Sequence, residues 1–112
     1  MYSLRYTPEA VRDMDLLWDD VYEASKDFDT ADRYVREFDL EISKKKKYPL
    51  TGNPLVYRGL FTGFYYVNFK KYMAFYRVKG EFIEVIRIIM SKRDYMSVLF
   101  GEINSDSEDE DL

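Results

Sequence analysis

Arg77, Arg87, Lys92, Arg93, Asp94 and Tyr95 are the residues with which this chain could bind or transform a partner, and Lys70 and Lys71 precede them. The chain has no histidine and no cysteine. A Ser-His or Cys-His nucleophile is therefore excluded, as are thiolate metal sites and disulfides. Proton transfer near neutral pH would fall to carboxylates, Lys, Tyr or Arg. Cutting a phosphodiester needs a positioned nucleophile, an acceptor for its proton and cations for the charged transition state. Binding an anionic or carboxylate-bearing surface needs only the cations. Arg93 stands first among them, because it follows the last expected strand, where chain ends gather.

These residues lie in a block from Tyr65 to Phe100, rich in aromatic and β-branched side chains that suit a pleated, half-buried surface. Lys70-Lys71 and Lys79-Gly80 fall where tight turns would join Tyr65–Lys70, Met73–Val78 and Phe82–Met90 as strands. Asp94 can cap a last short helix over Tyr95–Phe100. Upstream, Tyr2–Tyr6 alternates as a first strand. Thr7-Pro8-Glu9 then reads as a helix start: a cap, a first-turn proline and an acid at the positive pole. Val11, Met14, Leu17, Trp18, Val21 and Tyr22 mark one face of a helix over about residues 8–26. Asp13, Asp15, Asp19 and Asp20 read as its wet side, not as a metal site. Asp27–Thr30 breaks the pattern. A second helix turns Ala31, Tyr34, Val35, Phe38 and Ile42 inward and frays into Lys44–Lys47, which complements its negative pole. Pro49 stops it, residues 48–54 form a loop, and Leu55–Phe61 is extended.

The expected fold class is α+β, in the order β-α-α-β-β-β(-α), with a helical hairpin packed on a small antiparallel sheet. At 112 residues the chain makes one domain, expected over residues 1–100. Residues 101–112 hold six of the 21 acidic residues and no basic one, leaving 17 basic against 15 acidic, a net +2, over residues 1–100. This acidic end is expected to be a disordered tail that could fold back onto the cations. No apolar run is long enough to span a membrane, and a cytoplasmic protein is expected. No cofactor or metal is expected. The tyrosine-rich strands read as core filling, and any sheet face left bare would suit a docking partner.

Taken together, the opening strand with Thr7-Pro8-Glu9-Ala10, the helix bearing Asp13 and Trp18, Ala31, Pro49 and Gly52, Tyr72-Met-Ala-Phe-Tyr-Arg-Val78 and Arg87-Ile-Ile-Met-Ser-Lys-Arg-Asp-Tyr95 resemble the RelE/ParE superfamily of bacterial type II toxins. The last segment is especially similar to the ParE, or plasmid-stabilisation, branch. The resemblance implies a toxin neutralised by a cognate antitoxin. It implies either of two activities: ribosome-dependent mRNA cleavage in RelE-type members, or poisoning of DNA gyrase in ParE-type members. Carried over residue by residue, the RelE-type lysines fall near Tyr66 and Asn68, its strand arginine on Met73, its second arginine on Arg93 and its terminal tyrosine near Leu99, with Phe100 beside it. One match in five favours the non-nuclease branch. Arg77, Arg87, Lys92, Arg93, Asp94 and Tyr95 are then expected to bind a target or antitoxin. Were the chain a nuclease, Arg93 with Tyr95 or a lysine would be catalytic. An inactive relic that only binds antitoxin is the third expectation.

Overall fold

The computed structural model describes residues 1–101. The expected acidic tail over 101–112, and its folding back, concern residues outside those described, apart from Gly101. The elements are β1 (Ser3–Tyr6), α1 (Pro8–Ser25), α2 (Phe28–Ser43), β2 (Asn53–Tyr57), β3 (Leu60–Phe69), β4 (Tyr72–Lys79) and β5 (Phe82–Met90). A last helix, α3, occupies residues 95–101 of the described chain. Thr7 caps α1 as its type suggests, its side-chain oxygen accepting the Ala10 amide. Lys26 closes that helix in the left-handed region, at φ 55°.

The sheet order is β1-β5-β4-β3-β2, and the β1–β5 pair is parallel while every other pair is antiparallel. Two strand expectations need correction. The sheet is mixed, because β1 joins it beside β5 and runs parallel to it. The extended segment expected at Leu55–Phe61 is instead the tip of a hairpin, giving five strands rather than four. Arg58 and Gly59 both take positive φ, 54° and 79°, which is what a two-residue turn between right-twisted strands demands.

Both sheet faces are covered. On one, Leu17, Phe38 and Ile42 of the helices pack on Ala74, Tyr76, Ile83 and Val85. On the other, Leu55, Met73, Phe75 and Ile89 lie under Tyr95, Met96, Leu99 and Phe100. The face that sequence reasoning left open as a docking surface is thus occupied by the chain's own last helix. Tyr72, Phe75 and Tyr76 are buried, as the core-filling reading requires. Val11, read as inward, is 49% exposed.

Candidate functional site at the end of β5

β1 stops at Tyr6, so β5 loses its strand neighbour after Val85. The chain repairs this edge with side chains. The Thr7 amide donates to the Val85 carbonyl at 2.9 Å, and the Thr7 hydroxyl donates to the Ile86 carbonyl at 2.9 Å. Further along α1, Asp13 takes the role of the missing strand. Its Oδ2 accepts the Ile88 amide at 2.9 Å and Arg87 Nε at 2.7 Å, and its Oδ1 accepts Arg87 Nη2 at 3.2 Å. A two-pronged guanidinium–carboxylate pair of this kind holds geometry as well as charge.

Beyond that clasp the chain turns. The Ser91 amide bonds to the Lys71 carbonyl at 2.7 Å and the Arg93 amide to the Met90 carbonyl at 3.0 Å. Asp94 then caps α3, accepting the Ser97 amide at 3.2 Å and hydroxyl at 2.7 Å, which holds its carboxyl below the usual range. Tyr95 packs its ring against Phe75 at 5.4 Å. Lys92 and Arg93 are thereby presented on a turn anchored at both ends. Both are exposed, and neither has an ion pair or hydrogen-bonded side chain among the described residues. Arg93 borders a cleft of about 130 Å³ with Arg87, Asp13, Asp20 and Tyr72.

Arg87 and Arg93 therefore come together, with Lys92 beside them. Asp94 and Tyr95 serve as cap and packing residue. Arg77 goes elsewhere: it faces Glu84 across the β4–β5 ladder, Nη2 to Oε1 at 2.8 Å, and Glu84 also takes Arg5 of β1 at 3.1 Å. Arg77 and Arg87 thus form no common patch, since each is drawn to its own carboxylate. Asp13 is the residue that sequence reasoning misplaced. It was read as solvated, yet its side chain is 12% exposed. The signal was present: Ala10 and Leu17, both buried, bracket it at helical spacing.

The hydrogen bond from Arg77 holds the Glu84 carboxyl below its usual range, reinforced by the charges of Arg77, Arg5 and Lys79. A depressed carboxyl stabilises the fold above its unfolded pKa, about 4.3, and that contribution fades as pH falls through the lower folded value. Glu84→Gln should accordingly cost about 1 kcal/mol at neutral pH, with the difference from wild type shrinking in acid. Urea titrations over a pH series would read it. A difference that persists unchanged at low pH would contradict the assignment.

The residues corresponding to a RelE-type set form no cationic pocket. Tyr66 and Asn68 pair in register with Phe75 and Met73 on the α3 side. Met73 is 5% exposed, and Tyr66, Leu99 and Phe100 pack around it and Phe75. Among the described residues no cluster of acidic, His or Cys side chains could hold a metal, and no helix is long and apolar enough to cross a membrane.

The family described as the ParE toxin of the type II toxin–antitoxin system parDE matches residues 4–95. This chain belongs to the ParE toxin family. The match takes in β1 through the first residue of α3, and so includes Asp13, Arg87 and Arg93. No curated protein matches the sequence. Among solved structures, the ParE fold of this chain is similar to the chromosomal ParDE TA system from P. aeruginosa, with TM-score 0.68 and 22% identity over 82% of this chain and 98% of that one. It is also similar to the isolated E. coli RelE toxin, with TM-score 0.56 and 18% identity over 92% and 99% of the two chains. The RelBE2 toxin–antitoxin complex from Mycobacterium tuberculosis aligns with TM-score 0.52 and 24% identity over 80% and 96%. At such identities these structures speak for the fold.

Proposed function

We propose that this ParE-family toxin acts by binding a protein target, with DNA gyrase the candidate, and is neutralised by a cognate antitoxin. The binding surface is the anchored turn that presents Lys92 and Arg93 beside the Asp13–Arg87 clasp. The observation that carries this reading is the state of the sheet face beneath α3. Where RelE-type chemistry would need cations, this chain has Tyr66, Asn68 and a buried Met73, leaving Arg93 as the one matching charge. A lone exposed guanidinium can bind a carboxylate or phosphate, but it supplies neither a nucleophile nor an acceptor for its proton. Tyr95, the other residue a nuclease would enlist, is committed to packing on Phe75. The antitoxin partner rests on family membership and on the complexes that similar folds form in other organisms.

Expression in cells tests the reading. Gyrase poisoning should produce double-strand breaks and an SOS response while translation continues. Arrest of translation within minutes would replace it with the mRNA endonuclease, and neither effect would leave an antitoxin-binding relic. Arg93→Ala should weaken inhibition of gyrase by about tenfold or more, roughly 1.4 kcal/mol. Because the Arg93 side chain has no partner among the described residues, stability should stay within about 0.5 kcal/mol of wild type. Full inhibition by Arg93→Ala would remove that residue from the binding surface.

A further inference from the structure

Lys70 and Lys71 form the turn between β3 and β4, where Lys70 takes a positive φ of 53°. That turn is tied to the one after β5. Tyr72 pairs with Met90 across the ladder, and the Ser91 amide bonds to the Lys71 carbonyl at 2.7 Å. The two cationic turns are therefore neighbours, at strand ends about 5 Å apart. Lys71 is exposed and has no ion pair among the described residues. Lys70 lies over the Tyr34 ring at 4.7 Å and stands 4.0 Å from the Glu37 carboxylate, a loose pairing.

A cavity of about 610 Å³ opens beside these lysines, with Val21, Ala24, Tyr34, Tyr72 and Met90 among its walls. It shares Asp20, Tyr72 and Met90 with the smaller cleft that Arg93 borders. The two hollows thus make one groove, between α1 and the paired ends of β4 and β5. Lysines stand at one end of it and Arg93 at the other. Asp20 lies between them, exposed and without an ion pair among the described residues. Burial, with the charge of Asp20 beside it, raises the Tyr72 hydroxyl above its usual range, so that hydroxyl remains a donor in the groove.

We propose that this groove binds an extended segment of the target protein that carries an acidic, a large apolar and a second acidic residue at alternate positions. In a strand-like segment those three side chains share one face, with the carboxylates roughly 13 Å apart along the chain. One carboxylate meets Arg93, the other meets Lys71, and the apolar side chain enters the cavity between them. The cavity is of a size that encloses small ligands, ample for a leucine side chain. Asp20 decides against a nucleic-acid strand. Phosphates recur at every nucleotide, so one would face that carboxylate, whereas the proposed segment is uncharged there. The inference rests on the reading that this toxin binds a protein target through the turn bearing Arg93, and it adds what that target presents.

The probe is the capped peptide Glu-Gly-Leu-Gly-Glu, titrated to millimolar concentration into the full-length protein while amide signals are followed by NMR. Signals of residues 20–24, 70–72 and 91–93 should shift, while those of Arg77 and Glu84, further along the ladder, should not. Lys71→Gln and Arg93→Gln should each weaken binding about threefold, and exchanging the peptide's leucine for glycine about tenfold. Asp20→Asn should tighten it. Shifts spread evenly over the body, no shifts, or an affinity that ignores these substitutions would each overturn the proposal. A single-stranded oligonucleotide that moves the same signals more tightly than the peptide would overturn it too, and would give the groove to nucleic acid. Expression in cells separates this inference from the reading beneath it. If Lys71→Gln keeps full growth inhibition while Arg93→Ala loses it, the groove is overturned and the Lys92–Arg93 turn stands. Full inhibition by both variants would overturn both.

Discussion

Asp13→Ala is expected to lower the stability of the fold by about 3 kcal/mol, the larger of the effects that touch the candidate site. The substitution leaves the Ile88 amide without an acceptor and strips a half-buried Arg87 of its carboxylate. In a domain of this size that corresponds to a fall in Tm of roughly 15 °C. Asp13→Asn keeps an oxygen for Ile88 and loses only the charge, so it should sit between the two. Amide hydrogen exchange at Ile88 and Arg93 should quicken in step, because the same clasp fixes the end of β5 and the turn after it. A cost below about 1 kcal/mol would mean that the β5 edge is sealed by Thr7 alone.

The second large effect is expected far from the site. Gly52 sits at φ −71°, ψ 172°, a conformation any residue adopts. Its requirement is space. A Cβ there would stand 2.3 Å from Tyr76 Oη and 3.0 Å from two of its ring carbons. Tyr76 cannot yield easily. It is fully buried, stacked on Tyr65 at 5.6 Å, and its hydroxyl donates to the Pro49 carbonyl at 2.6 Å while accepting the Gly52 amide at 3.2 Å. Burial pushes that hydroxyl's pKa up to about 12, so it keeps its proton, and hence its donor role, throughout the working range. Gly52→Ala should cost about 3 kcal/mol, and Tyr76→Phe about 2 kcal/mol through its two lost hydrogen bonds. The double variant should cost clearly less than their sum, because removing Oη relieves the clash. Additive costs, measured by denaturant unfolding, would show that the backbone around Gly52 shifts instead.

Local chemistry was legible in the sequence wherever neighbours in the chain decided it. Thr7-Pro8-Glu9 starts α1, Asp94 caps α3, and the two hairpin turns fall where Lys70-Lys71 and Gly80 predict. What the sequence did not display was set by distant partners. Val11 follows the apolar spacing of α1 yet is half exposed, because the helix is rotated to bring Asp13 to β5. Arg77 and Arg87 could not be placed by counting along strands, since a register shift intervenes: Phe75 pairs with Arg87 while Tyr76 pairs with Val85. The division of the extended run into β2 and the start of β3 escaped notice because it turns on the positive φ of Arg58, a residue without turn preference. At the candidate site, the place of Arg93 just after the last strand could be read from the sequence. Its support by Asp13, 80 residues earlier in sequence, depended on tertiary contact alone.

β1 and β5 lie far apart along the sequence, and Arg5 must wait for Glu84 to find its partner. During synthesis from the N-terminal side, a strand and two helices emerge before β4 and β5, the strands they pack on, have been made. Only then can Asp13 grasp Ile88 and the Lys92–Arg93 turn take shape. A chain that stops short of β5 therefore lacks both the clasp and the turn that it holds.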